Sequence, residues 1–317
     1  MPTGFWKKLK KPFFVLAPMA DVTDVAFREI IAKHGRPDVF WTEFVSVDGL
    51  VSEKGREKLL VDFLYSKKQK PIIAQIFGAK PENFYECAKL IKSLGFDGID
   101  INMGCPDKKV EKQGAGAALM KNPKLAREII EATKRGAGGL PVSVKTRIGY
   151  NKDITEEWIG ALLETGLDAI TIHARTRKEM SKVPANWDTV RRAVRLAKGT
   201  GTLIIGNGDV LDLEDAKKKA KETGVDGVML GRAIFGNPWL FNKRKKSITV
   251  KEKLEALIEH TKLFESKLGK HKNFAIMKKH YKAYVSGFDG AKELRVRLME
   301  ADNAKEVEGV VKSFRWV

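Results

Sequence analysis

The sequence predicts an α/β fold, a (β/α)8 TIM barrel followed by a small C-terminal all-α helical bundle, and three observations carry that prediction. Eight short β-rich runs alternate with segments of helical period over about 240 residues, the count and length of an eight-unit barrel. No GxGxxG follows the first run, so the main signature of a doubly wound open sheet is missing. Beyond Phe241 the β-rich runs stop and helical periods alone remain.

The eight strand-like runs are 14–19, 39–43, 72–77, 98–102, 142–147, 169–173, 202–206 and 227–231. Helical faces follow them, such as Phe84, Ala88, Ile91 and Leu94, then Leu125, Ile129 and Ala132. Pro81 and Pro123 stand where the first turn of a helix accepts proline. The nearest glycine-rich stretch, Gly114-Ala115-Gly116, follows a cysteine loop and closes no strand. After the barrel, Asn242-Lys243-Arg244-Lys245-Lys246 reads as a linker. Four helical patterns come next: Leu254/Leu257/Ile258/Phe264, Phe274/Met277/Tyr281/Tyr284, Ala291/Leu294/Leu298 and Ala304/Val307/Val311/Phe314. Gly269 and Ser286-Gly287 punctuate them. The expected division is a catalytic barrel over 1–242 and a basic helical domain over 243–317.

Composition narrows the function classes. With 43% hydrophobic and 31% charged residues among 317, the chain has ample material for a core, which excludes global disorder. Lys and Arg number 59 against 40 Asp and Glu, so the net charge of +19 favours a polyanionic partner. From 242 to 317 there are 19 basic and 10 acidic residues, almost three times the basic excess per residue of the rest. A solvated bundle surface explains scattered lysines; a sustained excess also fits phosphate-backbone binding. Cys87 and Cys105 are too few for a disulfide framework, as expected in a reducing compartment. Lys7, Lys8, Lys10 and Lys11 ahead of an apolar run resemble a signal peptide, but Pro18 and Asp21 stop that run early. No run approaches the roughly 18 apolar residues of a membrane span. A cytoplasmic protein with no membrane partner is the expectation.

In a barrel of this kind the chemistry lies at the C-terminal ends of the strands. Those positions hold Pro18, Met19 and Ala20; Gln75; Asn102; Lys145 and Arg147; His173 and Arg175; Asn207, Gly208 and Asp209; and Gly231 and Arg232. Together they suit an anionic, hydrogen-bonding, aromatic ligand. Gly208 and Gly231 allow close backbone approach at the loops that recur as the phosphate site of the fold, and Arg232 adds charge there. Gln75 and Asn102 match an imide or amide edge, and Lys145 could stabilise negative charge on a reduced ring. Taken singly, 207–209 is also an ordinary turn, Lys145 a surface lysine and His173 a satisfied rim residue.

Cys105 lies in a tight Asn-Met-Gly-Cys-Pro loop, with Lys108 and Lys109 nearby, whereas Cys87 falls on an apolar helix face. A loop thiol at the mouth could be a nucleophile, a metal ligand or a general acid. No second cysteine or spaced histidine cluster accompanies it, so no metal is expected. A hydrolase pairing with His173 lacks an oxyanion-hole motif. The general acid fits a redox barrel best.

At these residues the chain resembles the dihydrouridine synthase family, flavin enzymes that reduce uridine in transfer RNA. Eight segments in order carry the resemblance: LAPMADVTD (16–24), QIFG (75–78), DINMGCP (100–106), QGAGAALM (113–120), VKTRIG (144–149), HARTR (173–177), GNGDV (206–210) and GRAIFGNPW (231–239). The basic tail is similar to the family's RNA-binding domain in size and type. Two departures are Ala174 and Asp21, where the family commonly has glycine.

The resemblance implies FMN as cofactor, NADPH or NADH as reductant and tRNA as substrate. It places Pro18, Met19 and Ala20 along the flavin, Gln75 and Lys145 at its ring, and His173 at the cofactor. Asn207, Gly208, Asp209, Gly231 and Arg232 would hold the ribityl phosphate. Cys105 would be the proton donor; Asn102, Arg147, Arg175 and Arg177 would hold the uridine or flanking phosphates. Two other readings stand beside it. A small-molecule FMN barrel, such as a dihydroorotate dehydrogenase or an ene-reductase, would use the same phosphate site without needing the tail. A non-catalytic RNA-binding protein would need no flavin.

Overall fold

The computed structural model describes residues 2–314. All eight strands form. In the first half, β1 (Phe13–Leu16) leads to α1 (Val25–His34), β2 (Phe40–Ser46) to α2 (Val47–Val51) and α3 (Glu53–Leu59), and β3 (Ile72–Phe77) to α4 (Pro81–Ser93). Next, β4 (Gly98–Met103) leads to α5 (Lys108–Glu111) and α6 (Pro123–Ala137), and β5 (Val142–Arg147) to α7 (Thr155–Leu163). The last units are β6 (Ala169–His173) with α8 (Trp187–Ala197), β7 (Leu203–Asn207) with α9 (Leu213–Thr223), and β8 (Gly227–Leu230). From β2 to β8 each strand pairs in parallel with the next, and β8 pairs with β1. The ring closes where Val15 bridges Val39 and the Asp38 N–H donates to the Phe14 carbonyl at 2.9 Å. This is the (β/α)8 barrel the sequence predicts.

Local chemistry sets the helix ends. Pro81 and Pro123 occupy the first turns of α4 and α6, and the side chains of Asp24, Asn122 and Asp212 cap α1, α6 and α9. Two strand ends differ from expectation by three residues, the others by at most one. β1 stops at Leu16 instead of 19, because Pro18 lacks a ladder N–H and residues 19–23 fold into a turn. β2 runs on to Ser46, and its register shifts between Trp41 and Phe44, a bulge that re-aims Thr42 and Glu43.

Inside the barrel an apolar floor forms from Phe13, Val15, Trp41, Ile205 and Met229, closed by Trp6 from the N-terminal turn Gly4–Lys8. The helical tail comprises α10 (Val250–Leu268), α11 (Lys278–Tyr284), α12 (Ala291–Glu300) and α13 (Ala304–Lys312). A Thr249–Glu252 capping box starts α10. Leu257, Phe264, Tyr281 and Tyr284 are fully buried and belong to the same core as Phe27, Ile30 and Ile31 of α1. His260 stacks on Phe27 at 4.8 Å, and His280 meets both rings edge-on. Each fully buried large apolar side chain is worth about 1.5–3 kcal/mol, so the tail is held to the barrel by core packing.

Candidate active site

A cavity of about 620 Å³ opens at the C-terminal strand ends. Pro18 and Met19 line it after β1, Lys145 from β5, His173 and Arg175 at the end of β6, Asn207, Gly208 and Asp209 at β7, and Gly231 and Arg232 at β8. Ala17, Ser181, Val210, Leu211 and Ala233 complete the wall. Ala20, Gln75, Asn102, Cys105, Arg147 and Arg177 are not among its lining residues.

The wall is cationic and ordered. Gly208 has φ +125°, and a Cβ there would lie 2.8 Å from Ala185 Cβ, so the turn demands glycine. At Gly231 an added Cβ meets Ala17 and Met19 at ordinary distances, so the protein's own packing makes no such demand. Among the described residues, nothing accepts from the N–H groups of Gly208, Asp209, Gly231 or Arg232. Four free amides on two adjacent loops are anion donors. The Asp209 carboxylate bonds Arg175, takes Arg232 Nη2 at 2.6 Å and accepts from the Ala185 N–H at 2.9 Å. The Arg175 bond holds it below the usual carboxylate range. Asp209 therefore orients two arginines, and what it can offer an anion is its main chain.

Arg175 Nη1 lies 3.1 Å from His173 Nε2. A guanidinium only donates, so Nε2 accepts and the ring proton sits on Nδ1. Burial first, then Lys145 and the arginines, push His173 well below its ordinary value, so it is neutral. Burial and the Arg147 charge bring Lys145 down to about 8.

Below the cavity runs a hydrogen-bonded chain that sequence reasoning missed. Asp100 is buried in β4 and accepts from Ser143 Oγ at 2.5 Å and Gln75 Nε2 at 2.6 Å. Burial pushes its carboxyl up to about 6. Gln75 Oε1 accepts from Asn102 Nδ2 at 3.1 Å, and Asn102 Oδ1 accepts from the N–H groups of Gly104 and Cys105 at 3.1 and 2.9 Å. The two amides thus join the barrel interior to the cysteine loop, each keeping one spare N–H. The signal was in the sequence: Gly-Ile-Asp-Ile-Asn alternates, which puts Asp100 and Asn102 on one inward face.

Cys105 is part-buried, and burial pushes its thiol above the ordinary value. It is a protonated thiol at neutral pH, suited to giving a proton and poorly suited to nucleophilic attack. Cys87 is buried and pushed up to about 12, an inert core thiol. Arg147, 7% exposed, donates to the carbonyls of Gly104 at 2.9 Å and of Thr176 and Met180, both at 3.1 Å. Arg177 forms a two-bond pair with Glu111. Arg147, Arg175 and Arg177 thus all make hydrogen bonds within the protein. Among the described residues no group of three or more His, Cys, Asp and Glu is placed to hold a metal, and no helix is long and apolar enough to cross a membrane.

Fold and site together define a class: a (β/α)8 barrel with a cationic cavity at the C-terminal ends of its strands, lined by Lys145, Arg175 and Arg232. Comparison with known proteins narrows it. A family model described as "Dihydrouridine synthase (Dus)" matches residues 15–315, barrel and tail alike. A probable tRNA-dihydrouridine synthase of Staphylococcus aureus (strain MRSA252) is 41% identical over 99% of this chain and 96% of its own length. For a probable tRNA-dihydrouridine synthase 2 of Bacillus subtilis (strain 168) the identity is 42%, over 99% and 97%. The chain belongs to the dihydrouridine synthase family. Two solved structures share the fold at low identity. A 2-naphthoyl-CoA reductase complex has TM-score 0.58 and 13% identity over 77% of this chain and 51% of its own. An old yellow enzyme homologue from Zymomonas mobilis has TM-score 0.51 and 13% identity over 76% and 90%.

Proposed function

We propose that the protein is a tRNA-dihydrouridine synthase that uses FMN, with NADPH or NADH as reductant, to reduce the C5–C6 double bond of uracil in tRNA. The observation that carries this reading is the family match, which runs through barrel and tail and lies over a cationic cavity at the strand ends.

The residues present fit the cofactor. A cavity of about 620 Å³ is in the range that encloses small ligands, ~300–1,000 Å³. The free amides of residues 208, 209, 231 and 232, with Arg232 beside them, suit a phosphate, and Asn207 backs that loop by donating to the Met229 carbonyl. Pro18 and Met19, with Ala20 behind them, would flank the ring, and Lys145 and His173 would face it. FMN, when bound and reduced, would supply the hydride for uracil C6.

The chain's own residues do the remaining work. Cys105 holds the proton destined for C5, and its raised affinity for that proton keeps it loaded at neutral pH. Lys145, cationic below about pH 8, would neutralise negative charge developing on the uracil ring. Gln75 and Asn102 would present their spare N–H groups to uracil carbonyls. Arg147 would act by anchoring Gly104 next to Cys105, Arg175 by orienting the cavity wall, and Arg177 by presenting an edge to flanking phosphates. The target uridine must leave its stack to reach the mouth. Residues 243–317, as a tRNA-binding domain beside the catalytic 1–242, would hold the folded RNA by shape and phosphate charge. Such a reaction belongs in the cytoplasm, with tRNA and the nicotinamide reductant.

Cys105→Ala tests the assignment. The variant should keep bound flavin and NADPH-driven flavin reduction while losing RNA reduction. Full RNA turnover by the variant refutes the proton-donor role.

A further inference from the structure

The helical tail reaches back to the turn that presents Met19. Between β1 and α1 the chain reverses over residues 19–23. The N–H groups of Val22 and Thr23 donate to the Met19 carbonyl at 3.1 and 3.0 Å, and the Met19 N–H donates to Thr23 Oγ1 at 2.9 Å. Asp21 stands in this turn at φ +53°, a left-handed conformation disfavoured for a residue with a Cβ. Its N–H donates to Glu43 Oε1. Glu43 is 4% exposed and was turned to this position by the bulge in β2.

The other Glu43 oxygen accepts from Lys272 Nζ at 3.0 Å, and Lys272 also meets Asp62 Oδ1 at 2.7 Å. Lys272 belongs to the loop between α10 and α11, so this bond joins the tail to the barrel mouth. From α11, Lys279 Nζ lies 3.8 Å from the Asp21 carboxylate, an exposed and weaker second contact. The charged groups facing Glu43 are Asp24, which caps α1, Arg28 of α1, Asp62 ahead of β3, and Lys272 of the tail. Arg28 is committed elsewhere, to Gln69 and to the carbonyls of Thr23 and Leu64.

We propose that Glu43 is a positioning residue for the cavity and that Lys272 makes its hold depend on the docked tail: the Lys272–Glu43–Asp21 strap fixes the turn that presents Pro18 and Met19. Burial already pushes the Glu43 carboxyl up to about 7 with Lys272 in place. Without that cation the buried charge is uncompensated and the group takes up a proton. A neutral carboxyl is a weaker acceptor for the Asp21 N–H, and the strained turn loosens. That Pro18 and Met19 face a flavin rests on the function proposed above; the strap itself does not.

The test uses the full-length protein with Glu43→Ala, Lys272→Met, Lys272→Arg and Asp62→Asn. Amide hydrogen exchange over residues 19–23 reads the turn directly, and FMN titration of the cofactor-free protein reads the cavity. Glu43→Ala and Lys272→Met should each speed exchange at Asp21 and weaken FMN binding by about tenfold, the effect of losing one charge-assisted bond. Lys272→Arg should restore both. Asp62→Asn, which shares Lys272 but makes no bond to the turn, should leave both within about twofold. Should Glu43→Ala not fold, the two Lys272 variants carry the test. Wild-type exchange rates in Lys272→Met, or an equal effect from Asp62→Asn, overturn the strap. A wild-type protein that takes up no FMN overturns the proposed function, and the exchange arm still decides the strap.

Discussion

Replacing Arg147 by Met separates an arginine that positions the cysteine loop from one that grips RNA. Its guanidinium makes three bonds to main-chain carbonyls: Gly104 on the cysteine loop, and Thr176 and Met180 on the loop after β6. Hydrogen bonds from a charged group are worth roughly 1.5–3 kcal/mol each, less the cost of burying the guanidinium. That cost is real here, since burial brings Arg147 down to about 10. The net loss is about 3–5 kcal/mol. At roughly 2–3 °C per kcal/mol in a chain of this size, the melting temperature should fall by about 6–15 °C. With Gly104 released, the Cys105 thiol moves, and a displacement of about 1 Å costs on the order of a hundredfold in rate. Calorimetry measures the first effect, and single-turnover reduction of unmodified tRNA the second. Arg147→Lys, with one point charge for three carbonyls, should fall between. A Met variant that melts within 2 °C of wild type but binds tRNA far more weakly would refute this reasoning and return Arg147 to the RNA.

The other predictions concern charge. Lys145 is cationic below about pH 8 and neutral above, so single-turnover RNA reduction should fall as pH rises through 8. Asp100 favours the Lys145 cation, so Asp100→Asn should move that fall to lower pH; an unchanged profile removes Lys145 from the chemistry. His260 and His280 are buried and neutral, His280 pushed down to about 3 by burial. Their unfolded forms take up protons below about pH 6.5, so the stability they permit is complete above that pH and lost as pH falls toward 3. His280→Phe should flatten the loss between pH 6 and 4 by about 1.4 kcal/mol per pH unit in urea unfolding. The same slope in the variant contradicts the neutral assignment.

The barrel was legible because its strands alternate and their ends carry unlike chemistry in the same order as the fold brings them together. Pro18, Lys145, His173, Asn207 and Arg232 meet around one cavity although up to about 200 residues separate them. The pairing of the arginines was not legible, since composition shows a charge and not its partner. Arg175 turned out to be bonded to Asp209, and Arg177 to Glu111. The bulge at Thr42 and Glu43 was equally hidden, because a one-residue register change leaves no mark in a short apolar run. The tail reads from the sequence as a basic domain after a linker. Its inner face is core: Leu257, Phe264 and His260 pack on α1, so deleting residues 243–317 would strip an apolar face as well as remove charge.

The most direct test is to incubate the purified protein with unmodified tRNA, FMN and NADPH, digest the RNA, and weigh its nucleosides. A gain of two hydrogens on uridine at a defined position is the expected result, absent with Cys105→Ala. A yellow protein that oxidises NADPH and leaves every uridine unchanged would contradict it and point to a small-molecule substrate in the same barrel.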